Sequence, residues 1–179
     1  MPSWEFGILY AIQELHCGFL DKFILAVTNI TGSYGHLWVI LGVLLLLFKK
    51  TRKTGFTVLV SYVLVLLVGQ LVLKDLIARP RPCHLDETVA LLVSRPSSYS
   101  CPSTHSAWAF AAFFSVFLYH RKAAIPVGVA AVILAFGRLY LFVHFPTDVL
   151  CGIALGTLSA FAAYGIVEYA GKKIRKRDA

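Results

Sequence analysis

Arg138, His144 and Asp148 stand in one otherwise apolar run, Arg138-Leu139-Tyr140-Leu141-Phe142-Val143-His144-Phe145-Pro146-Thr147-Asp148. Charges in hydrocarbon cost several kcal/mol, so ionisable groups in such a run mark a functional site facing a polar cavity. Pro146 suits the first turn of a new helix, which puts Asp148 in that turn and His144 just before it. A carboxylate at one ring nitrogen fixes the imidazole tautomer, leaves the other nitrogen as a lone-pair nucleophile and stabilises the cation formed on attack.

Two further stretches carry matching chemistry. Lys74 and Arg81 flank Asp75-Leu76-Ile77-Ala78-Arg79-Pro80, where two Arg-Pro steps disfavour helix and end an apolar segment, so the two cations converge. Snorkelling to headgroups accounts for one such cation better than for Lys74, Arg79 and Arg81 together. Pro102-Ser103-Thr104-His105 precedes another apolar run, with Pro102 expected in the first helical turn. Free N–H groups and the helix dipole make that start an anion site, with His105 beside it as an acid/base group. Three cations (Lys74, Arg81, Arg138), two hydroxyls (Ser103, Thr104), two histidines and one aspartate suit a phosphoryl group, whose equatorial oxygens carry the transition-state charge. The carboxylates are few and scattered and no metal-ligand spacing occurs, so the expected chemistry needs neither metal nor cofactor.

The elements that position these groups are membrane helices. Of 179 residues 58% are hydrophobic and 15% charged. Apolar runs at about 17–31, 37–48, 56–73, 106–119, 123–143 and 148–170 give an all-α, polytopic helical bundle of about six spans, five being the alternative. Met1–His16 reads as an amphipathic interfacial helix without the basic segment and cleavage site of a signal peptide. Lacking a linker, 1–179 reads as a single membrane-integrated domain. Gly32-Ser33-Tyr34-Gly35 forms the first external turn and 83–101 the one sizeable external loop. Cys83 and Cys101 bracket that loop, and outside the membrane a disulfide between them is chemically permitted.

The net charge of +8 follows topology rather than nucleic-acid binding. Lys22, the 49–53 cluster, Arg121, Lys122 and the basic C-terminal stretch fall on one face, whereas Lys74, Arg79, Arg81, Arg95 and Arg138 fall on the other. By the positive-inside rule the first group is cytoplasmic, both termini are cytoplasmic, and the candidate site opens to the external or periplasmic face of the plasma membrane.

These residues resemble the type-2 phosphatidic acid phosphatase superfamily, whose signatures are K-x6-R-P, P-S-G-H and S-R-x5-H-x3-D. Here they read Lys74 to Arg81-Pro82, Pro102-Ser103-Thr104-His105, and Gly137-Arg138 to His144 to Asp148. The resemblance implies a six-helix bundle that hydrolyses lipid phosphates or diphosphates. It also implies roles: His144 forms a phosphohistidine, Asp148 orients it, and His105 protonates the leaving group and then activates water. Lys74, Arg81, Arg138, Ser103 and Thr104 hold the phosphate. Thr104 replaces the usual Gly and Gly137 the usual Ser, which leaves the nucleophile, its partner and the acid untouched but alters substrate fit.

The expected reaction is conversion of undecaprenyl diphosphate to undecaprenyl phosphate, for recycling of a bacterial cell-wall carrier. Phosphatidylglycerol phosphate and phosphatidic acid are the alternatives within the same chemistry. A non-catalytic lipid-phosphate binder or transporter needs the cations but gives no reason for a His–Asp pair plus a second His. A vanadate-dependent haloperoxidase role disagrees with the apolar spans, since such relatives are soluble.

Overall fold

Small residues decide which helix lies at the centre. Helix α7 (Thr104–Phe117) buries Ser106, Ala107, Ala109, Ala111, Ala112 and Ser115, so neighbours approach its backbone from several sides. Helix α9 (Pro146–Arg177) comes closest: a Cβ at Gly152 would lie 2.4 Å from Ser103 O, and one at Gly156 2.2 Å from Ala107 O. Only glycine permits that contact. It brings the Pro102–His105 stretch against the first turn of α9, where Ser103 N donates to Asp148 O at 3.0 Å.

A computed structural model of the chain describes residues 3–32 and 35–177, all helix and connecting loop with no strand. Ser33 and Tyr34 of the expected external turn lie outside the described residues. Before α7 come α1 (Ser3–Gln13), α2 (Gly18–Thr31), α3 (His36–Leu46) and α4 (Arg52–Leu64). Helix α4 runs on as a π-helical stretch, Val65–Leu73, into α5 (Lys74–Ile77), and α6 (Pro82–Leu85) follows. Helix α8 (Arg121–Tyr140) joins α7 to α9. Trp38, Val58, Val65, Trp108, Ala131 and Leu134 form a core around α7.

Among the described residues three helical stretches are long and apolar enough to cross a bilayer: Arg52–Leu85, Arg121–Tyr140 and Pro146–Lys173. Helices α2 and α3 pass that test only together, as one unit bent by 56°. With that pair counted as one, the described residues give four stretches that meet the test. Helix α7 has 14 helical residues, about 21 Å. It nevertheless joins the two ends of the bundle. His105 stands at one end, while Tyr119, just past its C-terminus, reaches Glu168 at 3.2 Å at the other. Lys53 also pairs with Glu168 there, at 2.7 Å.

Helix α1 lies at the first of these ends. Glu5 binds Arg79, Tyr10 donates to Asp86 at 2.7 Å, and Gln13 donates to Tyr140 O at 3.0 Å. Asp21 of α2 accepts from Tyr140 Oη at 2.6 Å, so the adjacent Lys22 belongs to the same end. Helix α1 and the last turns of α9 therefore occupy opposite ends. Lys22 therefore lies apart from the distal basic residues with which its charge groups it. Charge counting fails at Lys22 because α1 and α2 pack over the candidate site by aromatic and hydrogen-bonding contacts.

Local backbone completes the scaffold. Ala78, in the left-handed region at φ 48°, caps α5 through its N–H to Lys74 O, and Pro80 and Pro82 keep the chain from resuming the same helix. Phe142 also has a left-handed φ of 56°. A non-glycine residue there costs about 1 kcal/mol, which burial of its ring beside Phe6 and Tyr10 offsets. That turn reverses the chain after α8 and presents His144. Pro146 opens α9 as expected, whereas α7 begins at Thr104, with Ser103 at the N-cap position and Pro102 outside the first turn. All four cysteines are free thiols, and Cys101 hydrogen-bonds to Cys151 of α9. Cys83 and Cys101 are both buried and are not bridged in this structure.

Candidate active site

The two cations of the first motif meet at one hydroxyl. Lys74 Nζ donates to Ser98 Oγ at 3.3 Å and Arg81 Nη2 donates to the same atom at 3.1 Å. Arg81 is further held by Ser98 O at 2.7 Å, Tyr99 O at 3.1 Å and Val143 O at 2.8 Å. The guanidinium is thus fixed by loop carbonyls before any ligand arrives. The convergence expected from the broken helix is present, and the 83–101 loop supplies the groups that lock it.

Arg81 also orders the nucleophile candidate. Its Nη1 lies 3.1 Å from His144 Nε2. A guanidinium has donors only, so Nε2 accepts and the ring proton sits on Nδ1. Nδ1 faces Asp148 Oδ2 at 3.7 Å, beyond hydrogen-bond range, and has no other partner. Catalytic hydrogen bonds in unliganded enzymes are often this long. Asp148 is itself anchored: Oδ2 accepts from Ser100 Oγ and from Phe145 N at 2.8 Å, and Oδ1 accepts from Arg79 Nη1 at 2.6 Å. Burial holds the His144 imidazole down to about 3 against the pull of the Asp148 carboxylate, with the Arg81 charge adding to the depression, so the ring is neutral.

A cavity of about 610 Å³ opens beside these groups, lined by Lys74, Arg81, Thr104, His105, Arg138 and His144, with Gln70 and Ser98 between them. Arg138 donates through Nη2 to Thr28 Oγ1 at 2.6 Å, while its buried Nε has no partner. His105 Nε2 sits 3.2 Å from Gly32 O, which can only accept, so that nitrogen carries a proton. Thr104 Oγ1 donates to Gln70 Oε1 at 3.3 Å, and its methyl lies 3.5 Å from where a Cβ on Gly69 would be. The close approach that requires glycine at 69 is to Leu155 of α9, whose Cδ2 would lie 2.7 Å from a Cβ there.

Asp148 stands behind His144 rather than at the cavity wall. Ser103 is the exception among the expected phosphate-binding residues: it is fully buried, its Oγ pairs with Ser106 Oγ at 3.0 Å, and it does not line the cavity. Its contribution is the backbone contact to α9. Sequence reasoning also left out Arg79, Glu5, Ser98, Ser100 and Gln70. Of these only Arg79 gave a signal, as the first of two Arg-Pro steps; the others are brought in by contacts between distant segments.

The sequence signature of the PAP2 superfamily matches residues 54–172. An undecaprenyl-diphosphatase of Sulfolobus acidocaldarius is 33% identical over 138 residues, covering 75% of this chain, and the chain spans 66% of that relative's length. A decaprenylphosphoryl-5-phosphoribose phosphatase of Mycobacterium tuberculosis is 33% identical over 160 residues, 87% of this chain and 86% of the relative. The crystal structure of a transmembrane PAP2-type phosphatidylglycerolphosphate phosphatase from Bacillus subtilis superposes with a TM-score of 0.75 at 31% identity, covering 93% of this chain and 86% of that one. A matched segment that takes in Lys74, Arg81, His105, Arg138, His144 and Asp148 joins the superposition in one conclusion: the chain belongs to the PAP2 superfamily and is a phosphoric ester hydrolase of that family.

Proposed function

We propose that the chain dephosphorylates a polyprenyl diphosphate, undecaprenyl diphosphate being the substrate class of choice, through a covalent phosphohistidine on His144. The observation that carries this reading is the tautomer: Arg81 donating to Nε2 at 3.1 Å keeps that nitrogen unprotonated and puts the proton on Nδ1, toward Asp148. In the first step Nε2 bonds to phosphorus as the bond to the bridging oxygen breaks, and His105 gives that oxygen a proton. In the second, water loses a proton to His105 and attacks phosphorus, the N–P bond breaks, and phosphate leaves. Asp148 stabilises the imidazolium in between. Lys74, Arg81 and Arg138 neutralise the phosphoryl oxygens, with Thr104 as an added donor, so the chemistry proceeds without a metal.

A polyprenyl carrier is supported by the names of the undecaprenyl and decaprenyl relatives. Phosphatidylglycerol phosphate is the second reading, favoured by the Bacillus subtilis structure. For the membrane arrangement, five crossings fit the helices best: the bent α2–α3 unit, the stretch from α4 to α5, α7, α8 and α9. With Lys49, Lys50, Arg52, Arg121 and Lys122 cytoplasmic, the cavity and α1 face outward, and α1 lies along that interface as one part of a single domain.

Phosphate release by the purified protein in detergent with EDTA, from undecaprenyl diphosphate, phosphatidylglycerol phosphate and phosphatidic acid, tests the proposal against His144→Ala. Release lost in the variant and fastest from undecaprenyl diphosphate is the expected result. Release that survives the substitution removes the histidine mechanism, and no release from any lipid removes the enzyme reading in favour of a binder.

A further inference from the structure

We propose that Glu5 of α1 is a positioning residue for the His144–Asp148 pair and acts through Arg79. The inference rests on the reading of His144 as nucleophile given above. Glu5 precedes the segment matched by the family signature, yet it is 1% exposed and packs against Arg79 and the first turn of α9. Burying a carboxylate costs several kcal/mol unless it is paired and hydrogen-bonded. Glu5 is both: Oε2 accepts from Arg79 Nη2 at 2.5 Å, and Oε1 accepts from Thr147 Oγ1 at 2.7 Å and Thr147 N at 3.3 Å.

The other arm of the same guanidinium is bonded to Asp148. Arg79 Nη1 donates to Asp148 Oδ1 and to Thr147 Oγ1, each at 2.6 Å, while the group stacks 4.2 Å from the Phe145 ring centroid. One cation therefore bridges two carboxylates. It takes one oxygen of Asp148 and leaves Oδ2 turned toward His144, Ser100 and the Phe145 amide. Its charge presents a difficulty, because an undivided guanidinium at 2.6 Å neutralises the negative charge on which the His144 cation depends. Glu5 divides that charge. The Glu5–Arg79 pair is neutral as a unit, so Arg79 fixes the direction of Asp148 without consuming its field at the imidazole. Helix α1 thereby supplies, from outside the matched segment, a charge that the reaction needs.

A mere packing role for Glu5 and a charge-dividing role differ in how two substitutions combine. The experiment uses the full-length protein in detergent with undecaprenyl diphosphate, measuring kcat and KM for wild type, Glu5→Gln, Arg79→Gln, the double variant and Glu5→Asp, with His144→Ala as control. Glu5→Gln is expected to lower kcat about tenfold or more with KM changed by less than about threefold. The double variant, which restores neutrality, is expected to exceed either single variant in kcat, and Glu5→Asp, which keeps the charge, to exceed Glu5→Gln. Where a single variant does not elute as folded protein, the double variant is compared with the other single. A Glu5→Gln kcat equal to wild type, or a double variant no faster than its singles, overturns the inference. If wild-type release does not depend on His144, the proposed function falls and takes this inference with it. If release depends on His144 while Glu5→Gln is silent, this inference alone falls.

Discussion

Arg81 Nη1 donates to His144 Nε2 at 3.1 Å, and this one contact sets the tautomer of the imidazole. The same guanidinium is held by Ser98, Tyr99 and Val143 carbonyls, so the ring and the loop over the cavity share one anchor. In the proposed reaction, phosphate oxygens would take the place of Nε2 as acceptors and release its lone pair toward phosphorus.

Lysine at position 81 keeps the charge and loses the fork. Arg81→Lys is therefore expected to lower kcat/KM by about 10²-fold, with both kcat and KM affected, because loop anchoring and nucleophile ordering fail together. Steady-state phosphate release measures it. A KM effect alone removes the ordering role and leaves phosphate binding.

His144 gives a pH dependence of stability with a definite sign. Burial depresses its folded value to about 3, whereas in the unfolded chain it titrates near 6.5. Between those values the unfolded chain binds a proton that the fold refuses, so stability falls as pH drops from about 6.5 toward 3 and is unaffected by this group above about 7. The slope is on the order of 1 kcal/mol per pH unit. Thermal unfolding at several pH values in detergent checks this: His144→Gln should lose less stability than wild type between about pH 6.5 and 4. Parallel curves for the two proteins contradict it.

Thr104 joins Gln70 and packs toward Gly69. Thr104→Gly is expected to leave the best turnover within about threefold while changing the order of preferred lipids, since the nucleophile and acid are untouched. Rates across the three-lipid panel measure it. Unchanged ranking and rates show that the threonine plays no part in substrate fit.

Because α1 shares an end with the cavity, a label at the start of α1 and one after α9 should report opposite sides. In intact cells or spheroplasts, a membrane-impermeant reagent is expected to modify a tag before α1 and spare a tag after α9. Equal protection of both tags restores the arrangement with two cytoplasmic termini and adds a crossing before α3.

What the sequence by itself determined was local. Lys74 and Arg81 converge because Pro80 and Pro82 end the helix that carries Lys74; His144 precedes Asp148 by one turn because Pro146 opens α9; apolar length declares a membrane helix. Each depends on residues within a few positions of one another, so spacing and backbone sterics suffice to read them. Only the tertiary structure decided the rest. Ser103 turns to Ser106 because Gly152 lets α9 press against its backbone, and Cys101 meets Cys151 for the same reason. Arg79 binds Asp148 and Glu5 across three separate segments, which brings α1 over the site. Local spacing carries no information about such pairings, because which distant surfaces meet is settled by packing of the whole bundle.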